Sequence, residues 1–197
     1  MANKKFSAIG AVLSLFIISA VTTGAVAAVN NLTAETILDH EQEKTWNAMQ
    51  TVMPGATFFQ EINIEQEGID PCVTGIYEGT DESGTLIGYC VESTPNGFSD
   101  VITLVTGITK DCIVNSVAII DASNETPGLG SRVTDDAFLS HFNGKDLHMN
   151  LVKSTAKNAT DVSAVSGATY SSTGVYNGVL SSLRAVAIYT AGQKEGK

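Results

Sequence analysis

Basic residues are scarce: 11 Lys and Arg stand against 21 Asp and Glu over 197 residues, a net charge of −10. That leaves no surplus to neutralise phosphates, which argues against a nucleic acid or an anionic lipid held on a basic face. Cysteine is equally sparse. Cys72, Cys90 and Cys112 form no C-x-x-C pair and have no histidine at ligand spacing, so neither a disulfide-dense scaffold nor a zinc or iron-sulfur site is expected. Each cysteine sits among β-type residues (CVTGIY, LIGYCVE, CIVNSVAII), where buried thiols are expected, although two of the three are able to pair outside the cytoplasm. His40, His141 and His148 are isolated and read as surface or partly buried side chains. There is no internal repeat. With 43% hydrophobic and 16% charged residues, the chain has the composition of one folded domain rather than of a disordered segment.

Charge is also missing from one long stretch. After Lys4 and Lys5, Phe6 to Val29 runs 24 residues without a charged side chain. As a helix it would extend roughly 36 Å, enough to cross a hydrocarbon core of about 30 Å. A cleaved secretory signal competes, because Ala25-Val26-Ala27 has the small-x-small pattern of a cleavage site. The run exceeds the roughly 15 residues of a signal's apolar region, so a retained anchor is expected. In either case Lys4 and Lys5 stay cytoplasmic and the remainder lies outside. Beyond residue 30 the chain has 9 basic and 21 acidic residues, a net charge of −12, and no second stretch long enough to span.

After the anchor, Leu32 to Met53 predicts a helix, capped by Thr33, acidic early through Glu35 and Glu41, and stopped by Pro54-Gly55. Ile37, Leu38, Trp46 and Met49 can share its inward stripe. From Ala56 to Asp121 five runs rich in Val, Ile, Thr and aromatics (ATFFQEINI, CVTGIYEG, TLIGYCVES, DVITLVTGI, CIVNSVAII) alternate with turn clusters such as Pro95-Asn96-Gly97. They predict a mostly antiparallel sheet. A helix over Asp135–Phe142, a short strand about Met149–Val152 and a C-terminal helix over Thr173–Thr190 follow. The last places Val175, Val179, Leu183, Val186 and Ala187 on one face. The fold class is α+β, with helices flanking the sheet.

Two loops carry residues that packing does not require. Glu125-Thr126-Pro127-Gly128-Leu129-Gly130 follows a strand, and its Pro and two Gly force a tight turn with approachable backbone N–H groups. Asp161 to Gly174 (DVSAVSGATYSSTG) is rich in hydroxyls and runs into a helix N-terminus, a sound place for a phosphate. Composition alone also allows an ordinary strand-to-helix connection for the first and a Ser/Thr capping loop for the second.

Together the two loops resemble the FMN-binding domain family represented by the G subunit of the Rnf electron-transport complex and the C subunit of the sodium-translocating NADH:quinone reductase. The resemblance is carried by Ser166-Gly167-Ala168-Thr169 preceded by Asp161, by the Glu125–Gly130 loop, by their order and by the single N-terminal anchor. It implies an anchor over 1–30, a linking helix over 31–55 and an extracytoplasmic FMN-binding domain over 56–197. It further implies that FMN is joined through a phosphoester to Thr169, the threonine closing S-G-A-T, by a flavin transferase that uses FAD. Nothing near Thr169 in the sequence would serve as its base, so the transferase must activate it. Small Gly167 and Ala168 would let this segment enter the transferase. Ser171, Ser172, Thr173 and the helix N-terminus would hold the phosphate, with Thr126, Gly128, Leu129 and Gly130 against the isoalloxazine.

The function so implied is an electron relay among the membrane subunits of a complex that couples ferredoxin oxidation and NAD⁺ reduction to Na⁺ or H⁺ movement. This chain alone would complete no reaction. Its shortness favours the Rnf member of the family over the quinone-reductase member, which is generally longer. Phe6 to Val29 contains no ionisable side chain and offers no ion path. A stand-alone extracytoplasmic flavoprotein shares the motifs. A pilin-like structural protein would explain the anchor and sheet but not the two loops, and the anchor lacks an early glutamate.

Overall fold

A computed structural model describes residues 8–63 and 68–195, without the side chains of 8, 9, 31, 33–40, 194 and 195. The described residues divide into two compact units, with the boundary between Glu43 and Lys44. The first consists of helix within α1 (Ala8–Val52), and its Gly10–Asn30 segment is long and apolar enough to cross a membrane. The helix expected to start at Leu32 is instead continuous with the anchor. No Gly or Pro intervenes between Val26 and Met53, so the polar residues after Val29 change the solvent preference of the helix without breaking it. The proposed Thr33 cap and the Glu35 side chain lie outside the described residues.

In the second unit β1 (Phe58–Ile62), β2 (Val73–Thr80), β3 (Leu86–Ser93), β4 (Thr103–Thr109) and β5 (Val114–Asp121) form one antiparallel sheet in sequential order. All five correspond to the five β-rich runs. Side chains alternate between two cores, as a two-residue period requires. Tyr89, Val91, Leu104, Ile108 and Val117 face one, while Cys90 and Val105 face the other.

The first core is closed by α3 (Thr169–Glu195), whose Val175, Val179, Leu183 and Val186 are fully buried. Each such side chain contributes about 1.5–3 kcal/mol of burial. The second is closed by the end of α1, through Met49, Val52 and Met53. Gly107 permits that approach: a Cβ there would stand 2.5 Å from the Val52 carbonyl oxygen. Asn115 Nδ2 donates to the same oxygen at 2.6 Å, satisfying one of the carbonyls a helix end leaves open. Trp46 packs edge-on against Phe59 at 5.3 Å.

Between sheet and α3 come a 3-10 turn (Gly130–Thr134), α2 (Asp136–Leu139), a second 3-10 turn (Ser140–Phe142) and two three-residue strands. The helix expected over Asp135–Phe142 is therefore one short α turn extended by 3-10 geometry. β6 (Asn150–Val152) matches the expected short strand. β7 (Asp161–Ser163), which pairs with it in parallel, replaces part of what was expected to be loop. The C-terminal helix begins four residues earlier than expected, at Thr169. Its hydroxyls bond back to helix carbonyls, Ser172 to Ala168 and Thr173 to Thr169, so a hydroxyl-rich sequence is compatible with helix here. All three cysteines are free thiols. Cys90 alone is buried, whereas Cys72 and Cys112 are half-buried.

Candidate functional site

Three segments meet at the head of α3. The 122–131 segment leaves β5 and turns tightly: Thr126 O accepts from the N–H groups of Leu129 and Ser131 at 3.2 and 3.1 Å. Gly128, at φ +73°, occupies the left-handed region that the turn demands, and its N–H donates to Ser131 Oγ at 2.9 Å. The 96–101 segment bridges β3 and β4, closed by the Asn96–Val101 bridge. The third segment leaves β7 through Ser166-Gly167 and enters α3.

Glu125 joins all three. Its side chain is 2% exposed, which for a carboxyl group requires compensation by donors. Oε1 accepts from the Phe98 and Ser99 N–H groups at 2.7 and 3.3 Å, and Oε2 accepts from Ser171 Oγ at 2.6 Å. Gly97 and Gly130 make room for it, since a Cβ at either would run into a carboxylate oxygen of Glu125. Leu129 bridges the same loops on the outside: a Cβ on Gly167, which sits at φ +80°, would lie 2.8 Å from Leu129 Cδ1.

The acceptor segment is built around Ser172. This buried hydroxyl donates to Ala168 O at 2.9 Å and accepts from Val165 N–H at 3.0 Å, pinning the turn to the helix. Ala168 is buried, Ser166 and Gly167 are exposed, and Thr169 is half-buried at the first position of α3. The hydroxyls of Ser171, Ser172 and Thr173 are all committed to protein acceptors, but that of Thr169 bonds to none of the described residues. The first intrahelical bond is Ser172 N–H to Ala168 O, so the N–H groups of Thr169, Tyr170 and Ser171 point outward without a helical acceptor. Asp161 lies behind this segment. Backbone N–H groups of Lys157 and Asn158 donate to its carboxylate at 3.0 Å each and hold it below the usual range, so it fixes the turn before β7.

The junction encloses a cleft of about 80 Å³ lined by Phe98, Thr126, Leu129, Gly167, Tyr170 and Ser171, with Gly130 and Ala168 in its wall. Thus the cleft draws together both sequence motifs. It also contains two residues that sequence reasoning missed: Phe98 and Tyr170, 62% and 74% exposed, whose rings stand 5.9 Å apart. Exposed aromatics flanking a motif of small residues were the available signal. A larger open cavity of about 660 Å³, lined by Leu86, Tyr89, Lys110, Cys112, Thr190 and Gln193, contains no motif residue.

Residues 97–184 match the FMN-binding domain family, and residues 1–52 match the RnfG N-terminal region. The chain is 32% identical over 186 residues to the G subunit of the Na(+)-translocating ferredoxin:NAD(+) oxidoreductase complex of Acetobacterium woodii, covering 87% of this chain and 88% of that one. It is 31% identical over 175 residues to the G subunit of the ion-translocating oxidoreductase complex of Methanosarcina acetivorans, covering 87% and 90%. Among solved structures, NqrC of Shewanella oneidensis shares the fold, with a TM-score of 0.58 at 20% identity over 74% of this chain and 94% of that chain.

Proposed function

The chain belongs to the G-subunit family of Rnf-type ion-translocating oxidoreductase complexes, and from that premise we propose that it carries FMN esterified to Thr169 and relays electrons between redox subunits of such a complex. The observation that supports this reading is the convergence of both motifs on one cleft, with Thr169 lying in sequence between Ala168 and Tyr170, two of the residues that line it.

The residues fit the group. The outward N–H groups at the start of α3, with the positive end of the helix dipole, suit a phosphate monoanion in a body that lacks a basic cluster. An 80 Å³ cleft is well below the roughly 300–1,000 Å³ of pockets that enclose a ligand, so it would take one edge of the isoalloxazine. The remaining ring face would lie against the exposed Phe98, Leu129 and Tyr170 side chains. FMN supplies one- and two-electron chemistry when bound, and the protein sets its orientation and electrostatics.

For attachment, Thr169 Oγ1 forms a bond to the FMN phosphorus of FAD as the diphosphate P–O bond breaks. AMP would leave, and the hydroxyl proton would pass to a base of the transferase. Gly10–Asn30 holds the chain in the membrane as a single span, with Lys4 and Lys5 cytoplasmic and the flavin domain outside. A bond to the protein keeps the cofactor from being lost by dilution there.

The test is flavin fluorescence of the denatured band from cells that contain a flavin transferase, with the mass of the Thr169 peptide. The wild-type band should fluoresce and the Thr169→Ala band should be dark. A flavin adduct retained by Thr169→Ala would move the attachment to another hydroxyl, and a dark wild-type band would remove covalent flavin altogether.

A further inference from the structure

We infer that Glu125 both positions the flavin-bearing end of α3 and sets the flavin's reduction potential, by holding a buried negative charge directly behind the cleft wall. This rests on the attachment proposed at Thr169. Every residue that hydrogen-bonds the Glu125 side chain or crowds its oxygens belongs to the site: Phe98 and Ser171 line the cleft, Gly130 forms its wall, and Ser99 and Gly97 adjoin Phe98.

Three of these residues hydrogen-bond the carboxyl oxygens: the Phe98 and Ser99 N–H groups, which only donate, and the Ser171 hydroxyl. A carboxylate, which only accepts, suits that set. At 2% exposure the charge has little water to screen it. Among the described residues no cation is seen paired with it, and the Arg132–Asp135 ion pair lies elsewhere. A negative charge beside a redox group opposes the addition of electrons and so lowers its potential.

Structural support and charge are separable by substitution. Gln at 125 keeps an oxygen for the Phe98 and Ser99 N–H groups and presents an amide donor to Ser171 Oγ, so the junction remains while the charge is gone. Ala at 171 keeps the charge and removes one of the donors that disperse it. Purely structural support therefore predicts a wild-type potential for Glu125→Gln, whereas the inference predicts shifts of opposite sign.

The experiment uses the full chain in detergent, flavinylated by co-expressed transferase, with the potential read from flavin absorbance in a redox titration. Glu125→Gln should raise the potential, changing the reduced-to-oxidised ratio at fixed ambient potential by about tenfold or more, the size expected for a unit charge within about 12 Å at an effective dielectric constant of about 20. Ser171→Ala should lower it, and serves alone if Glu125→Gln does not fold.

The positioning role is read on flavin-free chain made without transferase. There the Phe98 and Ser99 amides should exchange hydrogen faster in Glu125→Ala and at the wild-type rate in Glu125→Gln. Flavin attached with an unchanged potential in both charge-test variants overturns the electrostatic role, and unchanged exchange in Glu125→Ala overturns the positioning role. A wild-type chain that takes no flavin overturns the attachment, and the potential-setting role falls with it.

Discussion

Ser171 Oγ donates a 2.6 Å hydrogen bond to Glu125 Oε2, and this one contact joins two motifs 46 residues apart in the chain. Neither motif makes a site by itself. The turn at 126–131 supplies Leu129 and Gly130, the start of α3 supplies Tyr170 and Ser171, and the buried carboxyl group fixes one against the other while also drawing in Phe98.

Gly167→Ala should weaken both fold and flavin attachment. The left-handed φ of +80° costs a non-glycine residue roughly 1–2 kcal/mol, and the new methyl group must also displace Leu129. Gly128→Ala carries a similar backbone penalty at φ +73° but projects into open space. Thermal midpoints should fall by comparable amounts, about 2–6 °C in each, whereas flavin fluorescence per polypeptide should fall markedly only for Gly167→Ala. Equal flavin content in the two variants would argue against the Leu129–Gly167 contact as a determinant of attachment.

Acid should destabilise the domain through specific carboxylates. The Cys72 backbone N–H, with help from Ser181 Oγ, holds Asp70 below its ordinary value, as the Lys157 and Asn158 N–H groups do for Asp161. A lowered folded-state value means that these groups stabilise the fold above their unfolded value of about 3.9, and that this contribution is lost as pH falls through the lowered one. The thermal midpoint should therefore be flat near neutrality and decline below about pH 4. Asp70→Asn should lower the neutral-pH midpoint and reduce the acid decline. A variant with the wild-type slope would show that Asp70 does not contribute, independently of the repulsion that acidification relieves across the acidic surface.

The cysteines should alkylate in order of access. Burial pushes the Cys90 thiol up to about 12 and the Cys72 thiol up to about 11, so neither supplies much thiolate at pH 8. Cys112 is half-exposed, on the β4–β5 turn at φ +57°. Iodoacetamide at pH 8 should label Cys112 first and leave Cys90 intact until denaturant is added, as read from peptide masses. Early labelling of Cys90 would mean that the α1 end does not stay seated on the sheet.

The large elements were legible because their signals are local. Five strands announced themselves through Val, Ile and Thr runs between turn clusters, and Val175, Val179, Leu183 and Val186 marked the buried stripe of α3. Boundaries were less legible where hydroxyls have two uses. Ser172 reads as a loop residue and Thr173 as the helix start, but both side chains bond to carbonyls four residues back and the helix reaches Thr169. β7 is three residues long and gains its identity from pairing with β6, which no local pattern encodes. Glu125 was legible as part of a loop that packing does not require, but its burial and its partners were not. Its partners Phe98, Ser99 and Ser171 are 27, 26 and 46 positions away, and a glutamate beside Thr-Pro-Gly looks the same in sequence whether it is solvated or buried. The Phe98–Tyr170 pair was hidden for the same reason.

The placement of α3 after all five strands of the sheet also dictates an order of assembly. A chain delivered from its N-terminus can pair each strand of the meander with the next as it emerges, because every sheet contact is between sequence neighbours. The apolar face of that sheet then waits, uncovered and prone to association, for the last helix to supply Val175, Val179, Leu183 and Val186. Thr169 heads that helix. A transferase that recognises the assembled junction would consequently modify only domains in which α3 has closed over the sheet, so the proposed flavin would mark a closed domain.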